Sequence, residues 1–183
     1  GPGGPMVPAE PDVKEVELRA PVLAHLERQG YRAWADPDGH DYFDIAALRD
    51  REVGLVELKV ANSRQVFAQA LRRRAWTDWV AVALPGERAA RRLMAAPQAA
   101  LAHRVGVWVV DRAGVRELRP ATALYAPGGP DPFGESRERM RSLLTLMARG
   151  EVPEGIDWGF AGSPRLAGDH RRSTADWRLE EFP

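Results

Sequence analysis

The chain is 183 residues long and 44% hydrophobic, enough for one packed domain or one domain with a small appendage. Acidic and basic residues balance at 26 each, so no global positive field is available to nucleic acid, and any such contact must come from a local patch. The absence of cysteine excludes disulfides and thiolate metal centres and fits a cytoplasmic protein; no apolar run has the length of a membrane span or the layout of a signal peptide.

Gly1–Pro5 (GPGGP) reads as the scar of a protease cleavage ahead of a start at Met6, and is set aside from the fold. Heavy use of alanine, arginine, glycine and proline points to a GC-rich bacterial source. Asp12 is a fair N-cap for a helix over Val13–Gln29. Its apolar residues Val13, Val16, Ala20, Leu23 and Leu26 recur near the helical period until Gly30 stops it. Pro21 falls inside that span and predicts a kink or a restart. Tyr31–Ala35 follows as a strand, and Asp36–Asp41 (DPDGHD) as a polar turn in which His40 reads as an ordinary loop histidine.

A β-hairpin comes next. Phe43–Leu48 and the β-branched run Val53–Val60 flank the wholly charged Arg49-Asp50-Arg51-Glu52, as strands flank a solvated turn. If the hairpin is symmetric about Asp50-Arg51, Asp44 lies directly opposite Glu57, with Cβ atoms about 5 Å apart. Like charges so placed destabilise a sheet unless a cation lies between them, and a divalent ion suits that position. Side chains alternate along a strand, so Lys59 shares the face of Glu57. Of the 26 basic residues only Lys14 and Lys59 are lysine and the rest are arginine. A compact ammonium with a tunable pKa is not interchangeable with a guanidinium that stays charged. Asp41 is an alternative to Asp44 as a ligand, with the poorer hairpin register. A plain hairpin with a cross-strand Lys–Glu ion pair on a solvated face is the reading these residues alone leave open.

Ala61-Asn62-Ser63 breaks the pattern, with Asn62 or Ser63 as an N-cap. Arg64–Trp76 then reads as a helix burying Val66, Phe67, Ala70, Leu71 and Ala75. Gln65 and Gln69 share one of its faces. Arg72-Arg73-Arg74 at its end suit the negative pole of the helix and form the best local patch for a phosphate backbone. Trp79–Leu84 (WVAVAL) and Val105–Val110 (VGVWVV) are continuous apolar runs of the kind found in buried strands. Gly86–Leu101 between them is helical in period, and Val115–Leu118 is an edge strand after the turn Asp111–Gly114. The order is αβββαβ followed by αβ, an α/β class with a central mixed sheet. Residues 6–125 form that domain, 126–134 a Pro/Gly linker and 135–183 a C-terminal helical appendage. Within the appendage Gly134–Arg149 reads as a basic amphipathic helix, with Met140, Leu143, Leu144 and Met147 on one side and Arg137, Arg139 and Arg141 on the other. Its apolar face suits a second copy or a partner protein. Beyond it, Trp158, Phe160 and Trp177 are interleaved with Arg165, Arg171 and Arg172, either packing on the core or serving as a small nucleic-acid module.

The spacing Asp-x12-Glu-x-Lys of Asp44, Glu57 and Lys59 resembles the active-site signature of the PD-(D/E)XK nuclease superfamily, the restriction-endonuclease-like fold. Over roughly Asp12 to Leu118 the chain is most similar to uncharacterised bacterial phosphodiesterases of that type. There a strand ending in E-L-K leads into a glutamine-containing helix and a D-x-V-x-x-A-x-P strand, here Asp78, Val80, Ala83 and Pro85. The resemblance implies a restriction-endonuclease-like αβββαβ core and a metal-dependent nuclease acting most readily on DNA. In it Asp44, Glu57 and the Leu58 carbonyl hold Mg2+ or Mn2+, and Lys59 assists the attacking water. Glu17 is the candidate first-helix acid near the metal, with Glu15 as its substitute, and Gln65 and Gln69 are candidates to support the site. The alternative is a catalytically silent module of this fold that binds nucleic acid or docks onto a repair or defence complex.

Overall fold

The computed structural model describes residues 13–35, 44–60, 65–97 and 100–151, together with the backbone of 156–157 and 165–166. A short 3-10 turn, Glu15–Leu18, runs into helix α1, Arg19–Arg28. Pro21 occupies the first turn of α1, where a missing N–H leaves no bond unmade, so the expected kink does not arise. The passage from 3-10 to α geometry resets the phase of the apolar positions. Leu18, Val22 and Leu26 are the buried set, while Val16 is exposed. Gly30 closes the helix at a left-handed φ of 87°, with Gly30 N–H donating to Glu27 and Tyr31 N–H to Leu26. That is the Schellman arrangement that glycine accommodates without strain.

Six strands make one mixed sheet in sequence order: β1 (Arg32–Ala35), β2 (Ile45–Arg49), β3 (Glu52–Leu58), β4 (Trp79–Leu84), β5 (Gly106–Asp111) and β6 (Gly114–Arg119). The first three pair antiparallel, β3–β4–β5 pair parallel, and β6 returns antiparallel. The parallel pairs need crossovers, supplied by α2 (Val66–Leu71) and α3 (Glu87–Ala95). Every residue of β4 is buried, because helices cover both faces of the sheet and leave no polar side for alternation. On one face the 3-10 turn and α1 pack through Leu18, Val22 and Leu26 over Ile45, Val56, Leu58, Trp79 and Trp108. On the other, α2 and α3 pack over Val80, Val82 and Val107, and a later helix over Leu48, Val53 and Leu55. Each such aliphatic side chain contributes about 1.5–3 kcal/mol when fully buried.

The helix expected over Arg64–Trp76 is only Val66–Leu71; the chain continues through Trp76 in tight turns closed by Arg73 N–H to Ala70 and Trp76 N–H to Arg73. The apolar spacing survives in those turns, since Ala75 and Trp76 are buried, which is why periodicity alone overran the helix end. Helix α4 (Gly134–Ala148) also departs from expectation. Its Met140 and Leu144 are fully buried in the same core as α2 and α3. This stretch of the expected appendage therefore belongs to the main core, and its apolar face is occupied within the chain. Nor are Arg137 and Arg141 on a solvated face: both are largely buried and pair with Asp78, at 3.4 and 3.7 Å. Asp78 also accepts the Val53 N–H at 2.8 Å, so one carboxylate ties β3, the start of β4 and α4 together.

Ile156–Asp157 and Arg165–Leu166 form a small antiparallel ladder. Asp12, His40, Asp41, Phe43, Asn62, Ser63, Trp158, Phe160, Trp177, Arg171 and Arg172 lie outside the described residues. Among the described residues no helix is long and apolar enough to cross a membrane.

Gly54 pairs with Trp79 across β3–β4, and the indole lies over its Cα where any Cβ would collide with the ring. Gly54→Ala must push this buried tryptophan off its seat. We expect a loss of roughly 2–3 kcal/mol in urea unfolding; a midpoint equal to that of the parent chain would show that the ring moves freely.

Candidate active site

The hairpin pairs in the symmetric register, with Arg49 opposite Glu52 and Ile45 opposite Val56 around the turn Asp50-Arg51. Asp50 takes the left-handed conformation there, at φ 53°, which aspartate tolerates better than most residues. Continued by one residue, this ladder sets Asp44 against Glu57. Alternation puts both on the face that carries Ala46, Leu48, Val53 and Leu55, in the core shared with α2 and α4. One oxygen of Asp44 accepts the Leu58 N–H at 2.8 Å, which fixes the carboxylate at the end of β3.

Glu57 and Thr77 are the buried polar side chains among the described residues. Thr77 is satisfied by the carbonyls of Val53 and Trp79. Glu57 is not so simply accommodated. Burial pushes its carboxyl up to about 7; the Arg73 guanidinium opposes that rise, and Asp44, which both repels and hydrogen-bonds it, adds to it. Arg73 Nε donates to Glu57 Oε1 at 3.3 Å, with only 20% and 12% of the two side chains exposed.

Around this pair opens a cleft of about 380 Å3 lined by Glu15, Asp44, Glu57, Lys59, Gln69, Arg72 and Arg73. Lys59 follows the last residue of β3, and its N–H is anchored on the Ala83 carbonyl at 2.9 Å. Gln69, on α2, has a buried side-chain oxygen with no hydrogen-bond partner. A buried acceptor left unmatched beside two carboxylates is costly unless a donor or a cation fills the space between them. Of the candidate first-helix acids Glu15 lines the cleft, whereas the Glu17 carboxylate accepts the Lys14 N–H at 3.4 Å and caps the 3-10 turn. Gln65 is exposed at the start of α2 and does not line the cleft. The arginine triplet divides: Arg72 and Arg73 line the cleft, while Arg74 turns away, stacking 5.8 Å over the Phe133 ring.

Among the described residues no three acidic or histidine side chains converge as a self-sufficient metal cage. Magnesium does not require one, since it keeps several waters and is commonly bound through one or two carboxylates. Asp44, Glu57 and the orphaned Gln69 oxygen are hard oxygen donors that fit such an ion. A larger cleft, about 460 Å3, opens between α1 and the sheet beside Trp79 and Trp108. Its carboxylates are already matched, Glu52 by Tyr31 and Arg49 and Glu117 by Gln29, which leaves the Asp44–Glu57 cleft as the candidate. No family model, no curated protein and no solved structure matches the chain.

Because the Glu57 carboxyl is raised in the fold, the folded state binds more protons than the unfolded one between the ordinary carboxylate value of 4.5 and about 7. Its contribution to stability is therefore present below that window and lost as pH rises through it. In metal-free buffer the melting temperature of the parent chain should fall across this range relative to Glu57→Gln. The variant should be more stable by on the order of 2 kcal/mol at about pH 8. Parallel pH profiles for the two proteins would show that Glu57 is ionised at no cost.

Proposed function

We propose that the chain is a metal-dependent nuclease of the PD-(D/E)XK type, hydrolysing phosphodiester bonds, with DNA as its substrate. The observation that carries this reading is the opposition of half-buried Asp44 and buried Glu57 across one hairpin, with Lys59 and an unmatched Gln69 oxygen on the same cleft. The order αβββαβ, with β1–β3 antiparallel and β4 added parallel through α2, supports a restriction-endonuclease-like core.

Asp44, Glu57 and Gln69 would hold Mg2+ or Mn2+, with the Leu58 carbonyl as a further oxygen donor. When bound, the ion polarises the scissile phosphate and lowers the pKa of a coordinated water. The residues do the rest. Asp44 is held by the Leu58 N–H and presents its second oxygen to the cleft. Glu57 supplies a negative charge at the other side, and its opposition to Asp44 creates a site that prefers a cation to solvent. The Lys59 ammonium makes no hydrogen bond or ion pair among the described residues. It can donate to the attacking water and to the phosphoryl oxygens as charge builds on them, which stabilises the transition state more than the bound substrate. Hydrolysis adds the water oxygen to phosphorus, breaks the bond to the leaving sugar oxygen, and passes a proton to that oxygen. Arg72, exposed at the rim, supplies phosphate contact without sequence readout.

The Arg73–Glu57 ion pair favours a second reading, because a guanidinium already neutralises one carboxylate without any metal. On that reading the protein is a catalytically silent module that binds nucleic acid or docks onto a larger complex.

Supercoiled plasmid incubated with the purified chain separates the two. We expect nicking or linearisation that requires Mg2+ or Mn2+ and vanishes in Asp44→Ala. Lys59→Ala should slow the reaction on the order of a hundredfold, and Lys59→Arg should not restore it, since a planar fork cannot replace a compact ammonium. Intact plasmid, linear DNA, single-stranded DNA and RNA under all metal conditions would leave the binding module as the answer.

A further inference from the structure

We propose that Arg73 is the internal occupant of the cation position: its guanidinium balances Glu57 in the metal-free protein, a divalent cation displaces it, and the displaced guanidinium then takes a substrate phosphate. The inference rests on the metal-site reading above and adds a competition that the reading does not require.

The geometry sets the competition. Arg73 reaches Glu57 through Nε, at 3.3 Å, from within the cleft that Asp44 and Gln69 also line. Both side chains are largely withdrawn from water, so two cations on this one carboxylate would repel through little screening solvent. An arginine cannot relieve that repulsion by losing its proton; it has to move. Its position in the chain allows this. Arg73 is carried not by the body of α2 but by the turn that follows, held through its backbone N–H to Ala70 and its carbonyl to Trp76. The guanidinium also stacks 5.8 Å over the Trp76 ring, and none of the turn's backbone hydrogen bonds depends on where that side chain lies. The neighbouring cation shows the contrast. Lys59 lines the same cleft and makes no ion pair among the described residues, whereas Arg73 is committed to the carboxylate that the metal needs. A guanidinium released beside a bound phosphodiester offers a planar fork of donors suited to two phosphate oxygens.

The competition is read on the whole chain without nucleic acid, by titrating Mn2+ and following the loss of its free paramagnetic signal. Arg73→Gln should bind Mn2+ roughly three- to tenfold more tightly than the parent chain, the reverse of what a ligand or a purely structural residue does. Arg73→Lys keeps the charge on a different stem, and serves where the glutamine variant melts without cooperativity; it should shift the affinity the same way by a smaller factor. With Ca2+ replacing Mg2+ to hold DNA uncut, Arg73→Gln should bind DNA more weakly than the parent chain. Mn2+ affinity unchanged or lowered in folded Arg73 variants overturns the competition and leaves the metal site standing. No Mn2+ binding by the parent chain, identical to Glu57→Gln, overturns the metal site itself.

Discussion

The register of one hairpin is the constraint on which the rest depends. Side chains alternate along β2 and β3, so a slip of one residue would send Glu57 to the α1 face, among Ile45, Val56 and Leu58. Three features hold it. The turn Asp50-Arg51 has a two-residue geometry closed by the Arg49–Glu52 ion pair at 3.3 Å. Asp78 clasps the Val53 N–H from the start of β4. Trp79 fits over Gly54 and over no other residue of β3, so β4 also seats against β3 in one register only. None of the three lies in the cleft, yet each fixes which carboxylates meet there.

That meeting is unfavourable in itself. Burying one carboxylate disfavours its charge, and opposing it with a second adds repulsion. Two groups offset part of this cost, the Leu58 N–H on Asp44 and the Arg73 guanidinium on Glu57. The fold is otherwise economical with buried charge. The assembly of Asp78 with Arg137 and Arg141 keeps the acid about a quarter exposed and gives it two cations. The fold gives Asp78 two cations yet raises the Glu57 carboxyl and leaves the Gln69 oxygen unmatched beside it, a juxtaposition that a bound cation would relieve.

Much of this was legible in the sequence because it follows from local physics. The charged run Arg49–Glu52 centres the turn on Asp50-Arg51, with its outer pair closing the ladder, and that symmetry sets Asp44 opposite Glu57. The six residues Trp79–Leu84 are apolar throughout because both faces are covered, and the strand has those bounds. What escaped depends on partners far away in the chain. Arg72, Arg73 and Arg74 are identical in sequence, and nothing local says that one stays in solvent, one meets Glu57 and one stacks on Phe133. Arg137 and Arg141 have the spacing of a solvated helical face, and only the fold reveals Asp78 beneath them. The first helix misled for a different reason: its change from 3-10 to α winding shifts the apolar phase, so Val16 emerges and Leu18 turns inward.

The two cations of the cleft explain each other. In a chain that uses arginine nearly everywhere, lysine stands at position 59, one step past the strand that carries Glu57. A guanidinium there would offer a second rigid fork within reach of the same carboxylates and would lock the cleft into a closed ion-pair network. An ammonium is compact, strongly hydrated and free to hold a water in place of a carboxylate. Arginine at 73 has the complementary properties, being weakly hydrated, always charged and able to pair with Glu57 in a half-dry site. On the proposed nuclease reading, a cation that binds water and a cation that binds a carboxylate would divide the labour around a metal ion acting on a phosphodiester.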